Sequence, residues 1–295
     1  MDVALPLEAV PNFSEGRDVA TIDALRDALG APARLLDVHA DADHNRSVFT
    51  LVGDDDELVE TLLAGVACAC ELIDLRRHDG AHPFVGAADV VPLVPLRHGD
   101  MPRARAAALA VAGRLADDHA LPVFLYGELG RARHDLRRGG PGELQRRIDS
   151  GELAPDFGPA RLDPAAGAVL VGARRPLVAF NVNLRGGRLD DARAIARLVR
   201  ERDGGFPGVR ALGLDLPSAG RVQVSMNVED WEAAALHEIV ARIEAEAARL
   251  GVEVEGSELV GLMPAGAAAA AAGAMLRIDG FDASRVLELR LLESG

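Results

Sequence analysis

No lysine occurs anywhere in the 295 residues, so all 32 basic side chains are arginine. That excludes Schiff-base chemistry and the lysine of a phosphate-binding P-loop. Aromatics are scarce: one Trp, one Tyr and eight Phe leave little surface on which single-stranded nucleic acid could stack. The formal net charge of -14 denies the chain the basic face that nucleic-acid phosphates need. A few arginines can still make a local positive cleft for a small anion. The two cysteines, Cys68 and Cys70, sit two apart on a predicted helix and point away from each other. They read as reduced, buried thiols and place the chain in the cytoplasm. No apolar stretch approaches the roughly 20 residues of a membrane span, and the opening MDVALPLEAVPNF lacks the layout of a secretion signal. Neither a GxGxxG fingerprint, a Walker loop nor a CxxC pair is present.

What the chain does contain is alternating helical and strand patterns from end to end. Helices are predicted over residues 19–29, 54–75, 103–119, 189–202, 233–250 and 265–274. Strands are predicted over residues 35–38, 48–52, 90–96, 122–126, 168–171, 177–183, 209–214, 221–228 and 252–259. The Arg- and Gly-rich residues 131–142 read as exposed. Two β-rich α/β units joined near residues 173–176 are the simplest account, with antiparallel or mixed sheets.

Four polar clusters interrupt the apolar scaffold: residues 10–18, 35–53, 76–89, and a dispersed set at 154–159, 179–184 and 223–231. In the third, RRHDGAHPFVGAADVVPLVPL, glycine and proline flank His82 too densely for a helix or strand. The imidazole therefore lies on a loop at the mouth of an apolar strand, where catalytic groups and idle surface histidines both occur. In AFNVNL, Asn181 and Asn183 share one strand face, suiting a polar cleft or an ordinary solvated face. His78 and His82 are four apart, like the ligands of a helical metal site. Gly80 and Pro83 break the helix that would align them, so no metal is expected.

The motifs VPNFSEGRD, DADHNRSVFTLVG, HDGAHPFVGAADVVPLVPL, PVFLYGE, PDFGP, GARRPLVAFNVNL and GSELVGLMP, in that order, resemble the formiminotransferase domain family over residues 10–264. The resemblance implies an α+β or α/β fold, with two subdomains of mixed β-sheets and outer helices facing each other across a folate-binding groove. Their expected bounds are residues 1–174 and 175–295. It implies transfer of a formimino group from N-formimino-L-glutamate to N5 of tetrahydrofolate during histidine degradation, in a homodimer that needs no membrane or nucleic acid. Tetrahydrofolate is then a co-substrate. His82 matches the family's catalytic histidine. The folate-binding segment matches Gly158, Pro159, Ala160, Arg161, Leu162, Asp163, Pro164, Ala165, Ala166 and Gly167.

The chemistry asks for further groups. His82 can take the N5 proton and return it to the departing nitrogen, since its ordinary pKa lies near working pH. Asp37 and Asp89 are candidates to hold the ring or the amidinium, and Arg46, then Arg174, to clamp substrate carboxylates. Asn45, Asn181, Asn183 and Asn227 are candidate hydrogen-bonding groups, and His39 stands where animal members carry Asp. Phe84 stands where the family usually places Arg after the His-Pro pair. Two other readings therefore stay open: a transferase of the same fold with another formimino or one-carbon donor, and a folate-binding protein that has lost catalysis.

Overall fold

Apolar residues at consecutive positions of residues 46–53 and 88–95 fit strands buried on both faces, and the computed structural model, which describes residues 5–293, supplies both covers. The first compact unit comprises residues 1–175 and the second residues 176–295. The first runs β1 (Leu7–Ala9), β2 (Asn12–Phe13), α1 (Val19–Ala28), β3 (Arg34–Asp41), β4 (Arg46–Gly53), α2 (Asp55–Leu72), β5 (Ala88–Pro95), α3 (Met101–His119), β6 (Val123–Gly127), α4 (Arg133–Arg137), α5 (Gly140–Asp149) and β7 (Val169–Ala173). In its sheet β3 pairs with β4. β1 and β2 follow one another between β4 and β5, antiparallel to both. β7 then lies between β5 and β6, parallel to each.

One sheet face carries Leu7, Phe49, Leu51, Val91, Leu93 and Val171 into a core with Leu25, Leu58, Leu62, Val111 and Leu115 of α1, α2 and α3. On the other face Val90, Phe124, Tyr126 and Leu170 meet Leu136, Leu144 and Ile148 of α4 and α5. The expectation of an exposed segment at residues 131–142 is thus corrected: Leu136 and Arg137 are buried, because α4 covers the end of the sheet. The prolines of β5 fit an interior strand because β1 and β2 are interrupted opposite them. Pro92 falls between the residues paired with Ala9 and Asn12, and Pro95 ends the strand. Helix α2 starts at Asp54 in a capping box with Glu57, as the acidic first turn predicts.

The second unit runs β8 (Val178–Arg185), α6 (Leu189–Val199), β9 (Val209–Leu216), β10 (Arg221–Val228), α7 (Leu236–Leu250), β11 (Glu253–Val260), α8 (Ala265–Leu276) and α9 (Leu287–Glu293). Its antiparallel sheet has the order β11-β8-β10-β9. Val178, Val182, Val222, Val224 and Met226 face Ile195, Val199, Ile239 and Ile243. The alternate residues of β8 and β10, Asn181, Asn183, Gln223, Ser225 and Asn227, make the opposite face polar.

Candidate active site

Three of the polar clusters of the sequence fold into one knot around His82. The β3–β4 turn ends at Asn45, which takes the left-handed conformation that asparagine tolerates (φ 46°). Its amide nitrogen donates to His78 Nδ1 at 3.2 Å and to the Asp79 carbonyl at 3.1 Å, while its amide oxygen accepts the Gly16 N–H at 3.0 Å. The Ala81 N–H donates to the Asp43 carbonyl at 3.1 Å. Gly80 lets the two chains touch, since a Cβ there would lie 2.4 Å from the His44 carbonyl oxygen. At the base of the loop, Ser14 donates its N–H to Ala87 and its hydroxyl to Gly86. His82 therefore rides on a loop tied down from both sides.

His82 Nδ1 lies 2.8 Å from the Pro83 carbonyl oxygen. A carbonyl only accepts, so Nδ1 carries the hydrogen and Nε2 keeps its lone pair. The ring is half-buried and its centroid stands 6.1 Å from that of His44. Burial, then Arg46, Arg137 and His44, push its pKa well below 6.5, against the opposing effect of the Pro83 contact.

Beneath the loop lies an ionic cluster. Asp89, fully buried at the start of β5, accepts the Val85 N–H at 2.9 Å on one oxygen. Its other oxygen accepts Arg46 Nη1 at 2.7 Å and Arg137 Nη2. Arg46 also donates to Asn12 Oδ1 from Nε at 3.1 Å and from Nη2 at 2.7 Å. Burial acts to raise the Asp89 carboxyl, but Arg137 and Arg46 outweigh it and hold it below the usual range. Burial weakens the hold of both arginines on their protons, and Asp89 opposes it. A guanidinium nonetheless keeps its charge in a protein. Asp89, a candidate to hold the imidazole, accepts hydrogen bonds from the two guanidiniums and the loop backbone.

Sequence reasoning missed Arg137 and Tyr126. The Tyr126 ring lies across Gly172 of β7, where a Cβ would come within 2.7 Å of it. Its hydroxyl, Arg137 Nε and His44 Nε2 are buried polar atoms with no hydrogen-bond partner among the described residues.

The expected folate segment, Gly158 to Gly167, is an exposed loop whose end is stitched to the His82 loop. The Ala87 N–H donates to Ala166, the Ala168 N–H to Val85, and Gly86 and Gly167 form a bridge. Glycine is required at both: a Cβ on Gly86 would meet the Ala168 oxygen at 1.9 Å, and one on Gly167 the Val85 oxygen at 2.2 Å. Asp163 shapes the loop by accepting the Ala165 and Ala166 N–H groups, and Leu162 anchors it in the core. Asp37 and His39 stand half-buried on β3, opposite Thr50 and Val48. Arg174 follows β7 and faces Glu8, whose carboxyl burial raises and Arg174 lowers.

In the second unit Asn181 is buried, Asn183 and Asn227 half-buried. Asn181 donates to Glu258 at 3.2 Å, and Gln223, which the sequence did not single out, donates to Asn183 at 3.0 Å and Glu258 at 3.3 Å. Among the described residues no group of three or more His, Cys, Asp and Glu side chains is placed to hold a metal ion.

Phe84, where the resemblance leads one to expect arginine, packs its ring edge against His78 with centroids 4.3 Å apart. Phe84→Arg is expected to lower KM for the donor that the resemblance implies, with a small loss of thermal stability from the broken aromatic contact. Steady-state kinetics and a melting curve check both. An unchanged KM would show that position 84 does not meet the donor.

Comparison with known proteins gives a consistent family. The model of the formiminotransferase domain, N-terminal subdomain, matches residues 6–174, and that of the formiminotransferase domain matches residues 179–281. Glutamate formimidoyltransferase of Streptococcus pyogenes serotype M1 is 40% identical over 294 residues, covering 97% of this chain and 98% of the relative. The enzyme of the same name from Thermoplasma acidophilum is 37% identical over 97% of each chain. Formimidoyltransferase-cyclodeaminase of Rattus norvegicus is 40% identical over 271 residues, 88% of this chain and 50% of its own length.

Proposed function

The chain belongs to the formiminotransferase domain family, and on that premise we propose that it moves the formimino group of N-formimino-L-glutamate to N5 of tetrahydrofolate with His82 as the general acid–base. The products are 5-formiminotetrahydrofolate and L-glutamate, and the reaction belongs to histidine degradation. Tetrahydrofolate is a co-substrate, and no resident metal or other cofactor enters the scheme.

The observation that carries the role of His82 is its tautomer. With Nδ1–H engaged at the Pro83 carbonyl, Nε2 is the free base. As N5 attacks the amidine carbon, a new N5–C bond forms and the N5 proton passes to Nε2. The tetrahedral adduct then collapses: the bond from carbon to the glutamate nitrogen breaks, and Nε2–H returns the proton to that leaving nitrogen. Protons and electrons balance within the two substrates, so the imidazole ends as it began. The segment 158–167, stitched to this loop at its end, is the proposed folate contact. Asn181, Asn183 and Asn227, with His39, are the proposed hydrogen-bonding groups for the substrates' amides and carboxylates, Asp37 is the proposed partner of the amidinium, and Asn45 serves by tying down the His82 loop.

The depressed pKa fixes the sign of the pH dependence. A base must be unprotonated, and His82 stays unprotonated until the pH falls well below 6.5. The acid limb of kcat/KM is therefore expected below pH 6.5, with activity full above it and lost as pH falls through the folded-state value. A limb centred above 6.5 would argue for another base.

A further inference from the structure

On the polar face of the second unit's sheet, one buried amide is left half-satisfied. Gln223 of β10, only 1% exposed, stands directly across from Asn183 of β8, and Asn181 stands across from Glu258 of β11. The Gln223 amide nitrogen donates to Asn183 Oδ1 at 3.0 Å and to Glu258 Oε2 at 3.3 Å. The Asn181 amide nitrogen donates to the same Glu258 oxygen at 3.2 Å. A carboxylate only accepts, so the atom that Gln223 turns to it is its nitrogen, and both hydrogens of that nitrogen are committed. Gln223 Oε1 is then the odd atom: it is buried, with no hydrogen-bond partner among the described residues. An unmet buried acceptor is destabilising, and a face built only for stability would carry an apolar side chain there. There is also room beside it. Gly256 of β11 pairs with Asn183 and shares its face, and a Cβ there would meet nothing within 4 Å.

We propose that Gln223 Oε1 is the floor of a ligand subsite on β8, β10 and β11, and that the subsite takes a planar edge of amidine type, an N–C–N group whose nitrogens carry hydrogen. The inference rests on the proposed reaction, whose two substrates both offer such an edge: the aminopyrimidinone end of tetrahydrofolate and the formimino group itself. An N–H of the edge satisfies Gln223 Oε1. The Glu258 carboxylate beside Gln223 favours the positive end of an N–H dipole and, more strongly, an amidinium charge. Asn181 and Gln223 hold that carboxylate in place, and Asn183 holds Gln223, so the acceptors are set before the ligand arrives. A ligand without N–H groups would leave Gln223 Oε1 unmet in the complex, and a buried unpaired acceptor is a strong means of rejection. The side chain absent from Gly256 is the space the edge enters.

Two variants test the subsite from opposite sides. Gln223→Met keeps the volume and removes the acceptor, whereas Gly256→Val keeps every hydrogen bond of the cluster and fills the space. Each purified protein is titrated calorimetrically with tetrahydrofolate alone and with N-formimino-L-glutamate alone, so that no turnover occurs. Both variants are expected to lose about tenfold in affinity for the same one of the two ligands, the size of a hydrogen bond to a buried acceptor, and to bind the other as the parent does. A loss confined to tetrahydrofolate assigns the subsite to the aminopyrimidinone, and one confined to N-formimino-L-glutamate assigns it to the formimino group. Gly256→Val should melt with the parent, because its Cβ enters open space, and it carries the test if Gln223→Met does not fold. Unchanged affinity for both ligands in either folded variant would overturn the proposal and leave the amide cluster a structural feature of the sheet. A parent that binds neither ligand would overturn the proposed reaction as well, an outcome distinct from parental binding that the variants leave intact.

Discussion

His82→Ala is expected to slow formimino transfer by ~10²–10⁴-fold, the range typical for removal of a general acid–base group, while tetrahydrofolate still binds. The expectation follows from where the ring sits. Its loop is held by Asn45, Ala81, Ser14 and the backbone of residues 166–168, all through contacts that do not involve the imidazole. Truncation at Cβ removes the Nε2 base and the Nδ1–H bond to Pro83, and leaves the loop's other ties in place. The loss should therefore fall on kcat far more than on folate affinity. Single-turnover kinetics with equilibrium folate titration separates the two. Turnover close to the parental rate would remove His82 from the mechanism.

Asp89→Ala is expected to act on stability instead, costing about 3–5 kcal/mol, the usual penalty for removing one partner of a buried ion pair. Two guanidiniums then share a site from which their counter-charge has gone, and the Val85 N–H loses its acceptor. The sign with pH is fixed as well. The Asp89 carboxyl is held below the ordinary carboxylate value, so its contribution is complete above about pH 4 and fades as pH falls through the folded-state value. Denaturant unfolding of the variant and the parent at neutral pH measures the difference. A loss below about 1 kcal/mol, the size of an exposed ion pair, would mean that the cluster is solvated.

The sequence made the His82 loop legible because glycine and proline announce irregular backbone without tertiary information. Asn181 and Asn183 were legible for a similar reason: a period of two puts both on one strand face whatever covers it. Arg137 was not. Within RARHDLRRGG four arginines look alike, and what distinguishes one of them is a carboxylate 48 residues away that only the folded chain brings near. Tyr126 hid among the apolar residues of its strand, since its placement depends on Gly172 opening space on the neighbouring strand. Gln223 lay within the fourth polar cluster but was not distinguished inside it, and its pairing with Asn183 puts it beside Glu258. Phe84, by contrast, was conspicuous from the motif, and the fold shows it against His78.

The most direct measurement mixes the purified protein with tetrahydrofolate and N-formimino-L-glutamate and follows the products by mass spectrometry. Free glutamate and 5-formiminotetrahydrofolate should appear together in equal amounts, and neither should form at a comparable rate with His82→Ala. Bound tetrahydrofolate with no glutamate released would contradict the assigned reaction and point to another donor or to a protein that only binds folate.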